Sequence, residues 1–280
     1  MATATIVYIH GMAGGHLERD GCRVWLSGRE LARGSVAESL QGTLNPAGHL
    51  KLFHRPAALY WRCRGFAVHE FAYDWRASLD DAAARLRDTI ASVPAAHRVR
   101  IAAHSMGGCV ACRFSALYPD EYARVEKAFF FGVPVRGTFA AVDVILGRFA
   151  LPRLVARASL RRPRKDVLHE LSRATSQMPG LIDLFPDPAL FPEAAKLYER
   201  SAWPPEFAPP RHLLDRSLAL KPQLLASPIL DRTTVLASPR DRVTTLSSAL
   251  PRPGIPFHPL HLSHSFLLFE LSGLRLVAAA

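Results

Sequence analysis

The chain has 280 residues, 49% of them hydrophobic and 21% charged, which excludes disorder, collagen and coiled coil as descriptions of the whole. At about 150 residues per domain it makes two domains or one large one, and no apolar run approaches the roughly 18 residues of a membrane span. Lys and Arg number 35 against 24 Asp and Glu, a net charge of +11; such a charge attracts nucleic acid or anionic lipid, or simply reflects an Arg-rich composition, and no nucleic-acid-binding motif appears.

The opening residues, Met1 to Ile9, lack the basic region and long apolar run of a signal peptide, which predicts a cytoplasmic location unless a signal has been removed. Residues 4–9 (ATIVYI) are β-branched and apolar and run into His10-Gly11, a short buried strand followed by a turn. Residues 66–73 make a second strand. Residues 78–92 open with Ser78 and the pair Asp80-Asp81, then carry Leu86 and Ile90: a helix with an N-cap and a negative first turn. Residues 98–103 (RVRIAA) are a third strand, 106–118 a helix ending before Pro119, and 124–131 (RVEKAFFF) a fourth strand. Strands and helices alternating at this spacing predict a parallel sheet with crossover helices.

From about 135 to 230 the rhythm breaks. Prolines gather there, Pro204, Pro205, Pro209 and Pro210 among them, and basic residues dominate between Arg148 and Arg173. The stretch is predicted to be a cap inserted between two parts of one sheet, the core being residues 1–134 and 231–280. The core then resumes with a strand at 233–237, a weaker one at 255–260 and an apolar helix at 265–277. Four cysteines are present. Cys109-x-x-Cys112 lies in the 106–118 helix with no second pair to complete a zinc site, so small buried thiols are expected; Cys22 and Cys63 are free to pair across a loop.

The strongest chemical signal is Ala103-His104-Ser105-Met106-Gly107-Gly108 between a strand and a helix. That context is a nucleophile elbow, which lifts a serine hydroxyl out at the carboxyl edge of a sheet, with small residues at 103 and 107 for close packing. Ser105 needs a base. His264, just ahead of the C-terminal helix, suits the role better than His261. The base needs a carboxylate to fix its tautomer: Asp241, past the strand at 233–237, precedes His264 by 23 residues, whereas Asp231 lies at the wrong end of that strand and Asp215 in the cap. The oxyanion needs backbone N–H donors. Met106 supplies one, and Met12 in His10-Gly11-Met12-Ala13-Gly14-Gly15 the other. A phosphate-cradling reading of that loop fails, because it has neither G-x-G-x-x-G nor a Walker lysine.

The order Ser, Asp, His and the elbow resemble the α/β-hydrolase superfamily. Within it the chain looks like the lecithin:cholesterol acyltransferase-like lipases and phospholipases. Val24-Trp25-Leu26, Tyr73-Asp74-Trp75-Arg76, Gly132-Val133-Pro134-Val135-Arg136-Gly137 and the segment from Arg173 to Pro186 carry that likeness. There are departures: Ala103 replaces the first glycine of G-x-S-x-G, and Arg240-Asp241-Arg242 stands where the family has Gly-Asp-Gly. No cysteine lies where the family's lid disulfide would need one.

The resemblance implies a mostly parallel sheet with flanking helices and a cap, acting on carboxylic, lipid-like esters through Ser105, His264 and Asp241, with no metal or organic cofactor. Trp25, Trp75, Leu146 and Phe149 are candidate substrate contacts. Asp74 and Arg76 are expected to pair and anchor loops. The partners expected are a small-molecule or lipid ester and, through Arg148, Arg153, Arg157, Arg161, Arg162, Arg164 and Lys165, an anionic lipid surface; a solvated basic face is the alternative. An acyltransferase would share the triad, and a silent binding module the scaffold.

Overall fold

The computed structural model describes residues 4–280. Nine strands occur among them: β1 (Ala4–Ile9), β2 (Gly15–Arg19), β3 (Cys22–Trp25), β4 (Asn45–His49), β5 (Ala67–Phe71), β6 (Arg98–His104), β7 (Val125–Phe131), β8 (Thr233–Ala237) and β9 (Phe257–Pro259). Six form one parallel sheet in the order β5-β1-β6-β7-β8-β9. Every strand the sequence predicts is present, each within about two residues of its predicted ends.

The sheet is covered on both faces, which explains strands that read as nearly unbroken apolar runs. Alternate residues point to opposite faces. Val7, Ile9, Ile101, Ala103 and Phe130 face the helices Leu79–Ser92 and Met106–Leu117. Ile6, Tyr8, Ala102, Phe129 and Phe131 face the helices Lys51–Cys63 and Leu271–Ala279. The helix Leu79–Ser92 starts as its sequence requires: Ser78 Oγ accepts from the Asp81 amide, and the Asp81 carboxylate accepts from the Ser78 amide, a reciprocal cap.

β1 is central. The chain leaves it first for β5 on one side and later for β6 on the other. The loops that follow β1 and β6 therefore diverge and open a crevice at the carboxyl ends of the strands, where ligands bind in open sheets of this kind.

No strand lies between β7 and β8. The chain there forms the helices Phe139–Ile145, Ala150–Arg157, Arg164–Thr175, Pro179–Ile182 and Arg211–Leu225, with three 3-10 turns between 192 and 207. Val142, Ile145, Val155, Leu171 and Leu181 of this stretch pack in one continuous apolar cluster with Val7 and Ile9 of the sheet.

Two features depart from expectation. β3, β2 and β4 form a small antiparallel sheet between β1 and β5; Pro46 and Gly48 in β4 hide it from a strand search. The single apolar helix expected at 265–277 is a 3-10 turn, His264–Phe269, followed by an α-helix, Leu271–Ala279. The break falls at Glu270, whose carboxylate accepts from the His261 and Leu262 amides instead of extending into solvent. All four cysteines are free: Cys22 and Cys63 exposed, Cys109 and Cys112 buried. Among the described residues no helix is long and apolar enough to cross a membrane.

Candidate active site

Ser105 sits between β6 and the helix Met106–Leu117 with φ 52° and ψ −127°. That backbone is strained for a residue with a side chain, and it is what turns the hydroxyl away from the strand. The neighbouring strand holds it there, since the Ser105 amide donates to the Phe131 carbonyl at 2.9 Å. Ala103 is fully buried in β6 and fits where the family has glycine.

Asp241 lies beyond β8 on a tight turn. Its Oδ1 accepts from the Val243 and Thr244 amides at 2.8 and 2.9 Å, and its Oδ2 accepts from His264 Nδ1 at 2.7 Å. Those two amides replace the turn that glycines would supply, and neither Arg240 nor Arg242 pairs with the carboxylate. Thr244 Oγ1 donates to the Gly132 carbonyl, and Thr138 Oγ1 to the Val243 carbonyl, so the turn is fastened to the segment after β7. The competitors fall away from the site. His261 is exposed and pairs with Glu270, Asp231 pairs with Arg252, and Asp215 with Arg211 on the surface.

Ser105 and His264 line one pocket of about 350 Å³ together with Gly11 and Met12. The Ser105 hydroxyl and the His264 ring are not hydrogen-bonded to one another in this arrangement; such contacts often tighten only when substrate binds. The pocket is largely apolar, walled by Trp25, Leu50, Phe53, Val144, Phe149, Leu151, Leu154 and Leu268. A Cβ on Gly11 would fall 2.8 Å from the Cβ of Ser105, so the loop after β1 packs directly against Ser105. Among the described residues the amides of Met12 and Met106 donate to no other protein group. Phe149 and Trp25 line the pocket. Trp75 lines a narrower space behind it. Leu146 packs against the apolar cluster and reaches neither space.

The loop after β1 is anchored by residues the sequence flagged for other reasons. Tyr73 Oη donates to the His10 carbonyl at 2.9 Å, and its ring stacks on His10 at 4.4 Å. Trp25 Nε1 donates to the Ala13 carbonyl at 2.8 Å. Asp74 and Arg76 form a two-pronged ion pair, and Arg76 also donates to the Leu40 and Gly42 carbonyls.

Sequence reasoning missed a group of buried histidines beneath this loop. His10, His49, His54 and His104 are all less than a tenth exposed, with ring centroids 4.9 Å apart for His10 and His49 and 5.0 Å for His49 and His54. His104 continues the series to His264 at 4.9 Å. Three of them donate a ring N–H to a backbone carbonyl, His10 to Gly11, His49 to Phe71 and His104 to His264, and His54 Nδ1 lies 2.6 Å from the Tyr8 hydroxyl. A carbonyl only accepts, so in these three the bonded ring nitrogen carries a proton. Their spacing, spread over 95 residues of sequence, carries no motif that could have announced them. Among the described residues no three His, Cys, Asp or Glu side chains converge to hold a metal ion.

Burial pushes the pKa of all four down, with the neighbouring histidines adding to the effect on His10 and His54. Burial takes His49 to about 4 against the opposing pull of Glu70, and burial with the His264 charge takes His104 to about 3.

The six-strand parallel sheet, its helices on both faces and the elbow at its carboxyl edge define the α/β-hydrolase fold. No family model matches the chain, and no curated protein matches it. Solved structures do. A chain in the crystal structure of the Tle4–Tli4 complex superposes with a TM-score of 0.64 at 14% identity, over 86% of this chain and 75% of that one. Paleococcus ferrophilus monoacylglycerol lipase gives 0.47 at 12% identity, over 100% and 96% of the two chains. Bacillus licheniformis lipase BlEst2 in its mature form gives 0.47 at 11%, over 95% and 87%.

Two outcomes follow for the site. The four histidines bind protons in the unfolded chain near pH 6.5 and in the folded one only well below it. Stability is therefore full above about pH 6.5 and falls as pH drops toward about 4 for His49 and about 3 for His104. The loss is up to about 1.4 kcal/mol per pH unit for each histidine. Urea unfolding between pH 4.5 and 8 measures it, and His49→Gln flattens the profile. Gly132 has φ 56°, and a Cβ there would lie 3.0 Å from Asp241 Oδ2 and 3.2 Å from His264 Nδ1. Gly132→Ala is expected to slow fluorophosphonate labelling of Ser105 by about 100-fold, through displacement of the base, with circular dichroism reporting the fold intact.

Proposed function

We propose that the protein is a serine hydrolase of carboxylic esters that works through an acyl-enzyme. The observation that carries this reading is the His264–Asp241 hydrogen bond of 2.7 Å beside a serine in a strained elbow, all opening on one apolar pocket. Asp241 holds the Nδ1 proton, which leaves Nε2 as the basic atom of His264. His264 removes the Ser105 proton as Oγ attacks the ester carbonyl. The amides of Met12 and Met106 receive the negative charge that develops on the carbonyl oxygen. Collapse of the tetrahedral intermediate breaks the C–O bond, and His264 gives its proton to the departing alcohol. Water then repeats the cycle on the acyl-Ser105 ester and releases the acid.

The substrate class is lipid-like. The resemblance to lecithin:cholesterol acyltransferase-like lipases and phospholipases and the apolar wall of the pocket both support it. Around the mouth, apolar side chains stand in solvent. Leu154, itself a wall residue, is 58% exposed, and Leu52 and Phe266, chain neighbours of the wall residues Phe53 and Ser265, are 77% and 48% exposed. Arg148, Arg153, Arg157, Arg161, Arg164 and Lys165 are exposed on the same stretch as Leu154. An apolar rim set in basic residues fits a surface of anionic lipid.

The test is hydrolysis of p-nitrophenyl esters of increasing acyl length. Ser105→Ala is expected to abolish turnover and fluorophosphonate labelling, and Asp241→Asn to reduce kcat by about 1,000- to 10,000-fold. Absence of Ser105-dependent hydrolysis on every chain length would overturn the reading. Vesicle sedimentation checks the lipid surface. Binding to phosphatidylglycerol vesicles and not to phosphatidylcholine is expected, weakened by Leu154→Asp and by salt.

A further inference from the structure

The pocket does not end at Ser105. Behind the loop after β1 it narrows into an apolar neck of about 40 Å³, which shares Met12, Ala13, Trp25, Val144 and Leu151 with the pocket and adds Trp75. At the far end, Leu40 and Met178 line both the neck and a third space, an open cleft of about 900 Å³. Pocket, neck and cleft thus abut in series, and the cleft has the opposite character to the neck.

Four arginines and four carboxylates face that cleft. Arg76 is taken by Asp74, and Arg162 by Glu170. Arg173, Arg200, Glu38 and Glu206 are left, and among the described residues none of their side chains has an ion-pair or hydrogen-bond partner. Charged groups of both signs are thereby available at one end of an apolar passage.

Trp75 lines the neck. It is buried in the wall of the neck, and its indole N–H has no partner. Trp25, packed edge-on against it at 5.2 Å, spends its own N–H on the Ala13 carbonyl.

The position of His264 decides which part of the substrate enters. His264 lines the pocket and not the neck. Since it must protonate the leaving oxygen, the alcohol lies at the mouth. The acyl group then turns away past Met12 and Ala13 toward Trp25 and Trp75.

We infer that the acyl chain this protein takes is apolar along its length and polar at its far end, threading the neck so that its terminal oxygen-bearing group reaches the cleft of Arg173, Arg200, Glu38 and Glu206. A plain methyl terminus would leave that cleft unfilled, and a polar group part-way along the chain would be stranded in the neck without solvation. A hydroxyl or a carboxylate end shares the required chemistry, and the two are separable by experiment. The proposal rests on the esterase reading for the direction of the acyl group.

Binding is tested without turnover, by calorimetry on the Ser105→Ala protein with dodecanoate, 12-hydroxydodecanoate and dodecanedioate. The ω-polar acids are expected to bind about tenfold tighter than dodecanoate. Met178→Trp in the same protein, which fills the junction of neck and cleft, removes that difference. Arg173→Ala with Arg200→Ala weakens dodecanedioate more than 12-hydroxydodecanoate if the anion is the preferred end, and both equally if it is the hydroxyl. Equal affinities for all three acids, no binding of any, or a preference that survives Met178→Trp would overturn the proposal. A parallel kinetic arm compares p-nitrophenyl butyrate with p-nitrophenyl dodecanoate on the Ser105 enzyme. Its failure with ω-selective binding intact overturns the chemistry and leaves the passage; Ser105-dependent hydrolysis without ω-selectivity does the reverse.

Discussion

Everything at the site depends on one backbone conformation, that of Ser105. With φ positive and a side chain present, the residue stays there only because its surroundings leave no alternative. Its amide is tied to β7, the helix that follows is buried along most of its length, and the loop after β1 presses against its side chain. The sheet supplies the rigidity. Parallel strands covered on both faces place the ends of β1, β6, β7 and β8 side by side, and these ends bring together the loop of Met12, Ser105, Gly132 and Asp241.

Around this frame the loops are held by side-chain donors to carbonyls. Tyr73 and Trp25 each donate to a backbone oxygen of the loop after β1, and Arg76 to one at Leu40. One short segment, Tyr73-Asp74-Trp75-Arg76, therefore braces the loop after β1, carries an internal ion pair, faces the neck and fixes residues 40–42. That multiplicity gives a physical reason for four consecutive residues of such specific types. Three of the buried histidines do a related task from below, each donating a ring N–H to a backbone carbonyl.

Local sequence was informative where local chemistry decides structure. The elbow could be read because a strand, a serine among small residues and a helix follow one another without a gap. Asp241 was legible from its place after β8 despite its arginine neighbours, because the two amides that orient it come from the residues just beyond it. The antiparallel sheet of β2, β3 and β4 was not legible: its β2–β4 register pairs residues 27 to 34 apart, and β4 contains proline and glycine. The histidine group is the sharper case. Each member reads as an ordinary core or surface residue, and only the approach of β1, β4, β6 and the helix Lys51–Cys63 makes them neighbours. Leu146 shows the reverse error, since helical spacing placed it with Phe149 while the end of the helix at Ile145 turns it toward the core.

The Trp25–Trp75 pair has an optical consequence. Four tryptophans occur in the chain; Trp61 lies under the opposite face of the sheet, and Trp203 stacks on Phe185. The two that remain are in edge contact with each other, and both line the apolar passage beside the Ser105 pocket. Whatever enters that passage changes the polarity and the hydrogen bonding around both indoles at once. The protein thus carries an intrinsic fluorescent reporter at its most informative position, with two distant indoles as internal references and no label required.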